Sequence, residues 1–182
     1  MRYGPIKLKD APGRELVLRS AEERDAETLI EYLKLTAAET RFLIREPDEI
    51  SITPEAERDF IRANLESENG LMLLAFVDGR HAGNCSLSAV SGRRRMRHRC
   101  GVAIALRREF WGAGIGRTML ETVLGLAKEL GYEQAELEVV DGNAAALALY
   151  EKLGFTVCGR LPRNMKYSDG TYADSLFMVR YL

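Results

Sequence analysis

The segment from Arg97 to Leu130 constrains the fold more than any other. Arg97 to Leu106 ends in the apolar run Val102-Ala103-Ile104-Ala105-Leu106, as expected of a central strand buried on both faces. After Arg107 to Phe110 comes Trp111-Gly112-Ala113-Gly114-Ile115-Gly116-Arg117. Apolar residues then recur as Ile115, Met119, Leu120, Val123, Leu124, Ala127 and Leu130, the stripe of an amphipathic helix that Gly131 stops. A strand that turns through glycines straight into a helix commits the chain to packing helices on a sheet.

The flanking sequence extends this pattern. Glu15 to Arg19 reads as a short strand, and Ser20 with Glu23 has the spacing of a capping box for a helix to about Glu39, with Leu29, Ile30, Leu33 and Ala37 on one face. Thr53-Pro54 starts a second helix that continues to about Ser67. Leu71 to Val77 and Arg80 to Val90 are strands joined by an Asp78-Gly79 hairpin turn. Glu133 to Val140 is a strand, Asp141-Gly142-Asn143 caps a short helix Ala144 to Leu153, and Phe155 to Leu161 and Tyr172 to Tyr181 are the last strands. The order β-α-α-β-β-β-α-β-α-β-β predicts a mixed α/β sheet, hairpin-like in its first half and with strand-helix-strand crossovers in its second. At 182 residues one domain is expected over 1–182, with a core from 15 to 182 behind an N-terminal extension, 1–14.

Composition excludes several classes. Hydrophobic residues at 46% and charged ones at 29% exclude global disorder. Lys and Arg total 26 against 27 Asp and Glu, so no whole-chain basic field draws in a nucleic acid. No stretch reaches the ~20 apolar residues that span a bilayer, and the alternating Met1 to Leu18 lacks a signal-peptide core, which predicts a cytoplasmic protein without membrane contact. Cys85, Cys100 and Cys158 are dispersed and distant from paired histidines, so neither metal site nor disulfide framework is expected; each reads as an inert thiol in a buried strand. The run Arg93-Arg94-Arg95-Met96-Arg97-His98-Arg99 either steers an acidic substrate, or clamps a phosphate or nucleic acid, or is a solvated hairpin protecting a sheet edge, the simplest of these readings.

The glycine turn places unpaired N–H groups and the positive end of a helix dipole at one point, which suits an anion, with Arg117 adding charge; equally, the glycines serve a tight turn. A dinucleotide fingerprint does not fit, because the spacing is G-x-G-x-G, although Glu136 lies twenty residues after Gly116. A phosphate-binding Walker loop does not fit either: Arg117 precedes Thr118, and Trp111 stands in the leading glycine's place. In the later helix Asn143 and Tyr150, seven apart, lie on nearly one face about 10 Å apart along the axis, with the small Ala146 between them. A long ligand fits this face; so does a cap plus a core aromatic.

Together these motifs resemble the GNAT superfamily of acetyl-CoA-dependent N-acetyltransferases. Gly114 and Gly116 match its [Q/R]-x-x-G-x-[G/A] motif, with Trp111 replacing the usual Gln or Arg. Asn143, Ala146, Tyr150, Gly154 and Phe155 match its second signature. The resemblance implies a central mixed, mostly antiparallel twisted sheet flanked by about four helices. It also implies that Arg97 to Leu106 and Glu133 to Val140 splay to admit acetyl-CoA. The pantetheine arm would meet the backbone of Ile104, Ala105 and Leu106, and the pyrophosphate Gly112, Ala113, Gly114, Ile115, Gly116 and Arg117. Asn143 and Ala146 would contact the cofactor and Tyr150 would stand beside its sulfur, with no metal. The implied reaction is direct attack on the thioester by a primary amine of a small molecule or peptide, with Tyr150 hydrogen-bonding or protonating the thiolate. Many relatives carry a basic Glu where this chain has Arg99, so Glu138 or Asp174 would substitute. Phe42, Arg45 and Glu46, between the first two helices, would select the acceptor. A silent acyl-CoA-binding module and an N-terminal acetyltransferase of ribosomal proteins are the other readings. A homodimer through the late strands is common among similar proteins.

Overall fold

A computed structural model describes all 182 residues. Its strands are β1 (Ile6–Lys9), β2 (Glu15–Ser20), β3 (Leu71–Val77), β4 (Arg80–Ala89), β5 (Arg99–Leu106), β6 (Gln134–Val140), β7 (Thr156–Lys166) and β8 (Tyr172–Tyr181). The helices are α1 (Ala26–Glu39), α2 (Pro54–Glu66), α3 (Ile115–Glu129) and α4 (Ala144–Lys152). All eight strands form one sheet in the order β1-β2-β3-β4-β5-β6-β8-β7. Every neighbouring pair is antiparallel except β5–β6. No helix is long and apolar enough to cross a membrane.

The stripe on α3 does what its spacing requires: Ile115, Met119, Leu120, Val123, Leu124 and Ala127 are all buried against one face of the sheet, among Leu16, Leu73, Leu87 and Val102. Each of these side chains except the small Ala127 contributes about 1.5–3 kcal/mol by leaving water. On the opposite face α1 and α2 bury Leu29, Tyr32 and Ile61 over Leu74. The Thr53 hydroxyl accepts from the Ala56 N–H at 3.2 Å and starts α2 as expected.

Several expectations need correction. Within the 1–14 extension, residues 6–9 form β1, paired with β2 from Ile6 opposite Leu18 to Lys9 opposite Glu15. The Ser20–Glu23 capping box does not form. Ser20 Oγ accepts from the Tyr3 N–H at 2.7 Å and donates to the Met1 carbonyl, whereas Glu22 and Asp25 cap a short 3-10 turn ahead of α1. Asp25 wins that role because one carboxylate serves two partners, the Glu22 N–H at 2.7 Å and the Arg19 guanidinium at 2.7 and 2.8 Å. Cys85 and Cys100 are buried, but Cys158 is exposed.

The central strand is not covered on both faces throughout. Cys100 and Val102 are buried, whereas Ala103 is exposed and Ile104, Ala105 and Leu106 are half-buried. The cause is topological. β5 pairs with β6 only from Arg99 opposite Gln134 to Gly101 opposite Glu136, while β6 stays paired with β8 along its whole length. Beyond Gly101 the two strands part and leave an opening.

Candidate active site

Peptide groups of a strand face its two neighbours alternately. The Ala105 carbonyl lies on the β4 side, where the Tyr32 hydroxyl donates to it at 2.8 Å. The Leu106 carbonyl faces the other way and accepts from Trp111 Nε1–H at 2.8 Å. By the same alternation Val102, Ile104 and Leu106 turn their main chain into the opening. Of the three residues expected to hold a pantetheine arm, Ala105 is therefore turned away.

Gly112 and Gly114 have φ of +75° and +78°, conformations that side chains resist, so the tight-turn reading holds at both. Gly114 is the N-cap of α3 and supplies no side chain, so the N–H groups of Ile115, Gly116 and Arg117 are left uncapped. They form the positive end of a 15-residue helix dipole. The Arg117 guanidinium pairs with Glu121 at 2.8 Å, along the helix. Gly116 is the point of convergence. A Cβ there would lie 3.4 Å from a Leu106 methyl, 3.7 Å from Ile104 and 3.5 Å from Leu149 of α4. The end of β5, the start of α3 and the body of α4 thus meet at one position.

On α4, Asn143 Oδ1 accepts from the Ala146 N–H at 3.3 Å, so Asn143 is a helix cap. Tyr150 is only 7% exposed and its ring packs edge-on to Phe155 at 6.0 Å. Burial, with a smaller contribution from Cys85, pushes its phenol up to about 12. The hydroxyls of Tyr32 and Tyr132 each donate to a carbonyl at 2.8 Å, but that of Tyr150 bonds no protein atom. Sealed polar atoms without a partner are confined to His81 Nδ1 and Arg107 Nε, so the Tyr150 oxygen is not sealed from solvent.

The candidate bases separate clearly. Arg99 donates through Nε and Nη2 to the Glu136 carboxylate, and that guanidinium holds Glu136 below the usual carboxylate range. The pair sits where the strands part. Asp174 accepts from the Arg163 N–H at 2.8 Å and Arg160 Nε at 2.7 Å, bonds that hold it below the usual range. It also points away from Glu138, because Glu138 lies opposite Phe177 and shares a face with Ser175 and Phe177. Asp174 is therefore committed to Arg160 and Arg163 on the face away from Glu138. Glu138 is exposed at the opening and accepts from Asn164 Nδ2. His81, buried and pushed down to about 4 by desolvation, stays neutral and hydrogen-bonds Asn84.

The loop between α1 and α2 reaches across the opening to the β7–β8 turn. Glu46 Oε1 accepts from the Ser168 N–H at 3.3 Å, Arg41 donates to Thr171 Oγ1 at 2.9 Å, and the Arg41 guanidinium lies 3.8 Å from the Tyr167 ring centre. Of the expected acceptor residues, Glu46 belongs to this bridge and Phe42 is half-buried beside it. Arg45 is exposed, and its charge opposes the rise that burial imposes on the Glu57 carboxyl of α2. The contacts of Arg41, Tyr167 and Asn164 are not legible in the sequence, since each is defined by a partner distant in sequence.

A sheet opened at a parallel pair, with an uncapped helix end and the helix that carries Tyr150 meeting at Gly116, is the framework of an acyltransferase. The chain belongs to the acetyltransferase (GNAT) family, whose model matches residues 23–155. The crystal structure of a GNAT acetyltransferase from Streptococcus pneumoniae superposes with a TM-score of 0.86 at 32% identity, covering 92% of this chain and all of that one. YncA of Salmonella typhimurium, solved with its cofactor acetyl-CoA, shares the fold with a TM-score of 0.80 at 20% identity, over 92% of this chain and 94% of its own. Among curated proteins, the L-amino acid N-acetyltransferase AaaT of Escherichia coli is 25% identical over 91% of this chain and 98% of its own length.

Proposed function

We propose that this protein transfers the acetyl group of acetyl-CoA to the α-amine of a small acceptor by direct attack on the thioester. The convergence at Gly116 carries this reading. It joins main chain able to hold an amide-rich arm, N–H groups able to hold a pyrophosphate, and a helix bearing a phenol. The relative solved with acetyl-CoA has the same sheet, which supports the choice of cofactor.

The amine attacks the thioester carbonyl, and main-chain N–H groups of β5 in the opening stabilise the oxyanion. Tyr150 then meets the departing thiolate. With the phenol at about 12 and a thiol near ~8.5, full proton transfer is uphill, so Tyr150 acts as a hydrogen-bond donor to the sulfur and solvent completes the protonation. Glu138 takes the proton of the incoming ammonium, directly or through a water. An α-amine with pKa ~7.7 is already partly neutral at pH 7, whereas a lysine-like amine at ~10.4 is almost wholly charged, so an exposed carboxylate suffices for the former. The bridge across the opening favours a small acceptor, and AaaT, by its name, acts on L-amino acids.

Thiol release from acetyl-CoA, measured across α-amino acids, polyamines and alanine-headed peptides, should select an α-amine. Glu138→Gln should cut kcat/KM on it by about 10²-fold and leave CoA affinity unchanged. CoA binding with no release on any amine would reduce the protein to an acyl-CoA-binding module; full activity of Glu138→Gln would remove the carboxylate from the reaction.

A further inference from the structure

Asn164 lies in the one strained stretch of β7. The register of β7 on β8 shifts between Leu161 and Met165, and Arg163 within that bulge has φ of +54°, unusual for a residue with a side chain. The bulge is held from the far face, where Asp174 accepts from the Arg163 N–H at 2.8 Å and pairs with Arg160 at 2.7 Å. It turns the Asn164 side chain across β8, where Nδ2 donates both to Glu138 Oε1 on β6 and to Ser175 Oγ at 2.9 Å. A carboxylate only accepts, so the amide orientation is fixed by chemistry. Ser175 is fully buried, which anchors the amide.

We infer that Asn164 is a positioning residue: its amide ties down Glu138 Oε1 and leaves Oε2 free to take the acceptor's proton. This rests on Glu138 being the base. The ammonium N–H bond breaks, an Oε2–H bond forms, and the products are a neutral amine and a carboxylic acid that returns the proton to water. A hydrogen bond to one carboxylate oxygen fixes the orientation of the group and so the direction of the other oxygen. Glu138 is in no ion pair, so the Asn164 amide is the contact that orients it. Glu136 on the same strand is paired with Arg99 of β5, β8 presents Ser175 and Phe177, and the Arg163 guanidinium lies over Tyr172. From the bridging loops Arg41, Asp169 and Glu46 bond one another's loops and not Glu138.

The test is kcat/KM on the α-amine that the panel selects, measured by thiol release with the full-length protein beside calorimetric titration with CoA. Asn164→Ala should lower kcat/KM about tenfold with CoA affinity unchanged, and should add no further loss in a Glu138→Gln background, because the amide acts only through the carboxylate. Should Asn164→Ala fail to fold, Ser175→Ala, which removes only the amide's second anchor, should show a smaller loss that likewise vanishes in the Glu138→Gln background. Full activity of a folded Asn164→Ala, or losses that add in the double variant, overturns the inference. A fully active Glu138→Gln instead overturns the role of Glu138 as base, so the two failures are told apart.

Discussion

Tyr150→Phe should lower turnover by about 10²-fold while CoA affinity and folding stability stay close to those of the parent. The expectation follows from what the substitution removes. The ring keeps its packing on Phe155 and its place in the core, and the deleted hydroxyl bonds no protein atom. A change that takes away no internal hydrogen bond and leaves no partner stranded shifts stability by no more than about 0.5 kcal/mol. Tyr32→Phe provides the contrast, because it removes a hydrogen bond donated to the Ala105 carbonyl and should cost about 1 kcal/mol. Thiol release, calorimetric titration with CoA and a thermal melt read the three quantities separately. Undiminished turnover would remove Tyr150 from the chemistry.

The second large effect lies at Gly83→Ala, outside the site. The β3–β4 register shifts between Ala75 and Phe76, and past this bulge Gly83 passes close beneath the end of β5. A Cβ at Gly83 would lie 2.4 Å from the Ala105 oxygen and 2.9 Å from the Leu106 Cα. Both are backbone atoms, so the strand itself must move. A cost of about 3 kcal/mol is expected, at the upper end for overpacking, together with at least a tenfold loss of CoA affinity because Ile104 and Leu106 shift with it. Gly159→Ala, where a Cβ meets nothing within 4 Å, is the control and should be near neutral. Urea denaturation of the two variants measures the difference; equal stabilities would show that β5 yields without cost.

Much of the fold is written locally. The α3 stripe, the Thr53 cap and the Asp78-Gly79 turn depend on neighbours a few residues away, and each is where its pattern puts it. Tyr150 and the glycine turn were also legible, because a helix face and a strand-to-helix turn are local objects. What escaped depends on register. The opening at β5 exists because β6 prefers β8 beyond Glu136, a choice between partners that no single strand's pattern records. Ala105 is turned away from the opening, although the apolar run around it is uniform. Arg99 stood out as a departure from the family pattern, but its pairing with Glu136, 37 residues on, needed the strands side by side. Asp174 and Glu138 looked equivalent as carboxylates on strands. They differ because alternate residues of β8 face opposite sides, which gives one two arginine contacts and the other an asparagine.

A structure of the protein with acetyl-CoA bound is the most direct test. The pantetheine arm should lie against the main chain of Val102, Ile104 and Leu106, the pyrophosphate on the N–H groups of Ile115, Gly116 and Arg117, and the sulfur within hydrogen-bond reach of the Tyr150 oxygen. Acetyl-CoA seated outside the opening between β5 and β6, or a Tyr150 oxygen turned away from the thioester, would contradict the site described above.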